Sequence, residues 1–134
     1  MTEAAGPEAV QVLLVEDEPA NRALIRAMVG RIPLGSGRRF ELHEAATIGE
    51  ARAILARVQP AIVILDVRLP DGNGLDLATE LRGASGEGRP VVIVASASVL
   101  PVERDTALDR GADAFLAKPF GMSEFSAVVR RFVS

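Results

Sequence analysis

The stretch AIVILDVRLPDGNG, residues 61–74, decides how the chain is read. Ala61 to Leu65 is a short, unbroken run of aliphatic residues, the pattern of a strand covered on both faces. Asp66 ends that run and opens a segment whose Pro70, Asp71 and Gly72 are turn formers. A carboxylate at the carboxyl end of a buried strand sits where open α/β sheets gather their reacting groups. By itself Asp66 would pass for a turn residue ahead of Pro-Asp-Gly, so its meaning depends on what the other strand ends carry.

Three of them carry chemistry. VQVLLV, residues 10–15, runs into the acidic pair Glu16 and Asp17; VVIVAS ends at Ser96; and AFLA is followed by Lys118 and Pro119. Carboxylates brought together resist ionisation unless a cation lies between them. An all-oxygen set of this kind suits a hard divalent ion such as magnesium, which keeps several waters and shares the rest of its shell with a phosphate. Each residue also has a plainer use. Asp17 and Glu18 suit the start of the helix that Pro19 begins, Lys118 in isolation would be a solvated lysine, and Gly72, Gly74 and Gly111 suit backbone geometry.

Strand and helix patterns alternate along the chain. Strands are expected at Val10 to Val15, Phe40 to Ala45, Ala61 to Leu65, Val91 to Ala95 and Ala114 to Ala117. The second, FELHEA, alternates where the others are continuously apolar, which predicts an edge strand. A helix runs from about Pro19 to Arg31, followed by the Gly-rich basic loop IPLGSGRRF. Thr47 and Glu50 form a T-x-x-E capping box ahead of Ile48, Ala51, Leu55 and Val58, and Pro60 stops that helix. A last helix is expected after Ser123 as N-cap, burying Phe125, Val128, Val129 and Phe132 and ending with the chain. His43, the one histidine, reads as a strand residue. Residues 1–9 are expected to be disordered and residues 10–134 to form one domain. Five alternating units imply an α/β fold with a doubly wound, five-stranded parallel sheet.

The chain resembles the receiver domains of two-component response regulators, on VEDE with Glu16 and Asp17, ILDVRLPDGNG with Asp66, the strand end at Ser96 and AKPF with Lys118. The likeness extends from about Val10 to about Val133. It implies a flavodoxin-like (βα)5 fold with strand order 2-1-3-4-5 and a phosphorelay function, in which Asp66 accepts a phosphoryl group from a histidine kinase or histidine phosphotransfer protein. It also implies Mg2+ held by Glu16, Asp17, Asp66 and the backbone carbonyl of Arg68, with Lys118 and Ser96 on the phosphoryl oxygens and a cis bond before Pro119. Ser96 and Phe115 would form the switch, and Phe115 lacks the hydroxyl a tyrosine would present. Ser96 lies 30 residues after Asp66, 15 before Gly111 and 22 before Lys118, spacings similar to the family's. Were Ala95 in that position instead, the hydroxyl would be missing and Ser98 would be a decoy or a substitute.

Such a protein is not an enzyme beyond its own phosphorylation and dephosphorylation. An aspartate-nucleophile phosphatase would want a second aspartate two residues after the first, where this chain has Arg68. The remaining alternative is a pseudo-receiver that binds a partner constitutively. The output surface implied by the resemblance is the face of the fourth and fifth helices and fifth strand (α4-β5-α5), carrying Arg104, Asp105, Asp109, Arg110, Arg130 and Arg131, and the chain is expected to be a monomer or weak dimer. A net charge of -3 argues against direct nucleic-acid binding. The absence of cysteine removes disulfides, zinc thiolates and thiol catalysis. No signal-peptide core or span-length apolar run is present, which predicts a cytoplasmic protein without a membrane partner.

Overall fold

The computed structural model describes residues 9–35, 37–83, 89–97 and 101–133. Five strands, β1 (Ala9–Val15), β2 (Arg39–Ala45), β3 (Ile62–Leu65), β4 (Val91–Ser96) and β5 (Ala114–Ala117), pair in parallel in the order β2-β1-β3-β4-β5. Between and after them lie α1 (Pro19–Gly30), α2 (Ile48–Leu55), α3 (Gly74–Gly83), α4 (Pro101–Asp109) and α5 (Met122–Arg130). This is the doubly wound α/β sheet that the sequence implies, with β2 at an edge.

Alternation along the central strands feeds two cores. Leu13, Val15, Val63, Leu65, Val92 and Val94 meet α2, α3 and α4, whereas Val12, Leu14, Ile62, Ile64, Ile93 and Ala95 meet α1 and α5. Because both faces are covered, β3 is buried at every position, which is why its sequence carries no polar alternation. Phe125 of α5 is fully buried in the second core.

Several element ends differ from the sequence reading. β1 begins at Ala9, which pairs with Arg39, so Ala9 is strand rather than part of a disordered tail; residues 1–8 lie outside the described residues. α1 starts with Pro19 at its first turn, and the Glu18 side chain caps it by accepting from the Ala20 amide at 3.2 Å. The helix closes at Gly30, with Arg31 as C-cap. In α2 only half of the expected capping box forms. Thr47 Oγ1 accepts from the Glu50 amide at 3.0 Å, but the Glu50 carboxylate takes the Ala46 amide at 2.8 Å. The buried face is Ile48, Ala51 and Ile54, with Leu55 and Val58 half-buried, because the helix ends at Leu55 before a further turn can bring Val58 round. α5 starts at Met122 with Gly121 as N-cap, not at Ser123: Glu124 accepts from the Gly121 amide at 3.1 Å and fixes the turn two residues earlier. Phe125 and Val129 are buried, Val128 and Phe132 are half-buried, and the helix stops at Arg130.

The N-terminus of α2 also receives a residue from far along the chain. Asp71, in the turn after the Asp66 strand, accepts from the amides of Ile48 at 2.8 Å and Gly49 at 2.9 Å. These two bonds hold its carboxyl below the ordinary carboxylate range. Its contribution to stability is therefore present above the unfolded-state value and is lost as pH falls through the lower folded-state value. Asp71→Ala should melt below the native protein at neutral pH, and the gap should close on acidification past the normal aspartate range, as read by circular dichroism melts across pH.

Candidate functional site

The sheet register assembles the site. Val15 of β1 pairs with Leu65 of β3, so Glu16 and Asp66 leave neighbouring strands side by side. Their backbones are fixed by bonds from Glu16 N to Ala45 O at 2.9 Å and from Asp66 N to Val15 O at 3.0 Å. Ser96 of β4 pairs with Ala117 of β5, and the Lys118 amide donates to Ser96 O at 2.7 Å, so Lys118 leaves the sheet at the same edge. β1 leads to α1 on one face and β3 to α3 on the other, which opens a crevice at their carboxyl ends. The bond between Lys118 and Pro119 is cis, as the resemblance implies.

Lys118 Nζ donates to Glu16 Oε1 at 2.6 Å and to Asp66 Oδ2 at 3.0 Å. Glu16 is only 2% exposed, and its second oxygen accepts from the Glu18 amide at 3.1 Å. The Lys118 and Asp66 side chains are 15% and 14% exposed. Burial pulls the Lys118 ammonium toward a lower pKa, but its hydrogen bonds and charge pairing with Glu16 and Asp66 outweigh that, and the net shift is upward. Glu16, Asp17 and Asp66 each offer a carboxylate oxygen, all within 4.8 Å of one another. Asp17 is exposed. Three carboxylates against one ammonium leave this edge short of positive charge, and the donor set is the hard-oxygen kind that takes a magnesium-sized divalent ion.

The segment after Asp66 folds back tightly. Arg68–Leu69 and Gly72–Asn73 pair as a two-stranded antiparallel ladder. Gly74 N then donates to Val67 O at 2.6 Å, and Leu75 N to Asn73 Oδ1 at 2.8 Å. A side chain at Gly74 would start 2.0 Å from the Asp66 carbonyl oxygen, so only glycine allows this approach. Arg68 holds an exposed side chain at the mouth, and its amide lies 3.4 Å from Asp66 Oδ1.

Ser96 is buried at the end of β4. Ala95 packs into the α1 and α5 core, and strand alternation puts Ser96 on the opposite side with Val94. Phe115, half-buried, packs against that same core beneath α2, α3 and α4. Ser98 lies outside the described residues. On the α4 side, Arg110 does not stand free: it pairs with Asp76 of α3 at 2.7 Å, while Arg82 of α3 donates to Asp109 O at 2.9 Å.

Sequence reasoning passed over Arg22. Its Nη1 donates to the carbonyl oxygens of Glu16 at 3.0 Å and Asp17 at 3.4 Å, and its Nε lies 3.4 Å from Glu44 Oε1. The only signal was a cation one turn into the helix that follows an acidic pair.

A family model described as the response regulator receiver domain matches residues 12–130. The KDP operon transcriptional regulatory protein KdpE of Escherichia coli K12 is 40% identical over 119 residues, covering 89% of this chain and 49% of that protein. The chain thus spans about half the length of the curated relatives it matches. Among solved structures, the receiver domain of the sensor histidine kinase PA1611 from Pseudomonas aeruginosa PAO1, with a magnesium ion coordinated in its active-site cleft, aligns with a TM-score of 0.77. It is 29% identical and covers 92% of this chain and 97% of that one. The receiver domain of a LuxO repressor protein from Vibrio parahaemolyticus aligns with a TM-score of 0.80 at 26% identity, covering 92% and 89%. By the extent of the family match and by these relatives, the chain belongs to the response regulator receiver domain family of two-component systems.

Proposed function

We propose that this receiver is a magnesium-dependent phosphoacceptor in which Asp66 takes a phosphoryl group from a histidine kinase or histidine phosphotransfer protein. The observation that carries the proposal is Lys118 bonded to both Glu16 and Asp66 at the mouth of a three-carboxylate crevice. Lys118 holds Asp66 Oδ2, and the Arg68 amide approaches Oδ1 at 3.4 Å. An Asp66 oxygen attacks phosphorus, the phosphorus–nitrogen bond of the phosphohistidine breaks, and an acyl phosphate forms while the departing ring nitrogen keeps the bonding pair. Glu16, Asp17, Asp66 and the Arg68 carbonyl would hold the magnesium ion, which supplies charge neutralisation at the phosphoryl oxygens. Lys118 pairs with one phosphoryl oxygen and the Ser96 hydroxyl donates to another. Positioning and electrostatics of this sort account for most of the catalysis of phosphoryl transfer.

Phosphorylation draws Ser96 toward Asp66, and Phe115 turns into the space on its side of the sheet. The face of α4, β5 and α5 then meets a downstream protein by shape and apolar contact. Of the charges assigned to that face, Arg110 is committed to α3, while Arg104, Asp105, Arg130 and Arg131 are exposed. No helix of the described residues is long and apolar enough to cross a membrane. The constitutive alternative gains no support, since every charged group the chemistry asks for is present.

Intact mass after incubation with acetyl phosphate and magnesium tests the proposal. The native chain should gain one phosphoryl group, Asp66→Asn should gain none, and chelator should suppress the gain. An unchanged mass for the native chain with both acetyl phosphate and phosphoramidate, or an equal adduct on Asp66→Asn, would remove Asp66 from this role.

A further inference from the structure

We propose that Arg22 is a positioning residue for the cation site: its guanidinium holds the backbone of Glu16 and Asp17 so that the Asp17 carboxylate faces the crevice. The inference rests on the reading of Glu16, Asp17 and Asp66 as a magnesium site. The corner from Glu16 to Glu18 must carry two carboxylates toward a third, an arrangement that like-charge repulsion opposes. Glu16 is anchored three times, by Lys118, by the Glu18 amide and by its own amide on Ala45 O. Among the described residues Asp17 has fewer holds. Its side chain is exposed, and among the described residues the side-chain contact to its peptide group is Arg22 Nη1 on its carbonyl.

Arg22 is itself held. Its Nε faces Glu44, and Arg26 grips the same Glu44 carboxylate with two bonds of 2.6 and 2.8 Å. The guanidinium thus bridges the end of β2 to the corner after β1, parallel to the backbone bond from Glu16 N to Ala45 O. A planar fork can meet two carbonyls and a carboxylate at once, whereas an ammonium of similar reach acts as a point charge and meets fewer of them in fixed geometry.

Charge and geometry make opposite demands here, which gives the test its edge. A cation beside a metal site repels the metal, so if Arg22 acted through its charge alone, neutralising it would tighten magnesium binding. If it acts by orienting the corner, neutralising it weakens binding although the repulsion is relieved.

The experiment is isothermal titration of magnesium chloride into the native chain, Arg22→Gln, Arg22→Lys and Glu44→Gln, at a temperature where circular dichroism shows each to be folded. Amide hydrogen exchange at Asp17 and Glu18 is read alongside. Arg22→Gln should bind magnesium about tenfold more weakly, a difference of about 1.4 kcal/mol, with faster exchange at Asp17 and Glu18. Arg22→Lys, which keeps the charge and loses the fork, should fall between it and the native chain, and serves alone if Arg22→Gln does not fold. Glu44→Gln should weaken binding by a smaller factor. Equal or tighter binding by Arg22→Gln, or native affinity in Arg22→Lys where only that variant folds, overturns the proposal while leaving the site reading intact. A native chain that binds no magnesium overturns the site reading, and this inference with it.

Discussion

Gly74→Ala should be the most damaging single methyl that can be added near the site. The new Cβ would lie 2.0 Å from the Asp66 carbonyl oxygen, 3.0 Å from the carbonyl carbon and 3.2 Å from Leu65 Cδ1. The first two are backbone atoms at the end of a strand buried between two neighbours, so no side-chain rotation relieves the clash. Either α3 moves away at its first residue or the Asp66 peptide shifts. Overpacking of this severity costs about 3 kcal/mol, which in a domain of this size lowers the melting temperature by roughly 10 °C. The chemistry should suffer to a similar degree. A displacement near 1 Å at a reacting group costs on the order of a hundredfold in rate, and Asp66, the proposed phosphoacceptor, is the group displaced if its peptide is the part that shifts. Thermal melts and the initial rate of phosphoryl adduct formation measure the two effects. A variant that melts within about 2 °C of the native chain and labels at the native rate would show that the loop absorbs the methyl without moving Asp66.

Lys118→Met should destabilise the protein when no divalent ion is present, and magnesium should restore part of the loss. Removing the ammonium leaves the buried Glu16 carboxylate beside Asp66 with their shared cation gone. Breaking a buried pair costs about 3 to 5 kcal/mol; with Lys118 and Asp66 side chains 15% and 14% exposed, water compensates some of this and about 2 to 3 kcal/mol is the better figure. Methionine keeps most of the stem, so the loss reads charge rather than packing. A divalent ion at the same carboxylates replaces the missing charge, so saturating magnesium should raise the melting temperature of the variant more than that of the native chain. The pH dependence has a definite sign. The pKa of Lys118 is raised above its ordinary 10.5 in the folded state, so its stabilisation is complete below that value and is lost as pH climbs through the raised one. The gap between native and variant melts should hold through neutral pH and close only in strong alkali. Equal melting of the two proteins at pH 7 without magnesium would mean that the paired geometry contributes nothing net.

The strands and the charged strand ends were legible because a parallel sheet covered on both faces leaves unbroken apolar runs, and Asp66, Glu16 and Lys118 stand where those runs stop. FELHEA gave away the edge by the same logic, since half-covered faces allow Glu41, His43 and Glu44 between apolar neighbours. What escaped notice depends on partners distant in sequence. Asp71 caps α2 across 22 and 23 residues, and Arg22 reaches back over the corner to Glu16, so neither has a local pattern. The start of α5 was misplaced because Ser123 and Gly121 are both acceptable before Phe125, and only the reach of Glu124 back to Gly121 decides between them. In α2, Ile54 displaced Leu55 from the buried face because a helix of two turns shows too little of its period for the phase to be fixed by residues beyond its end.

α4 is fastened at its C-terminal end. Among its described side chains only Ala107 is fully buried, and its C-terminal turn is tied to α3 through Asp109 O and through Arg110 O on Thr79. Val102, near the other end, is 63% exposed. The tied end of α4 therefore lies away from the crevice, and the first residue of the helix, Pro101, comes five residues after Ser96. Under the proposed switch, a displacement at Ser96 would enter α4 at the end opposite its tie to α3.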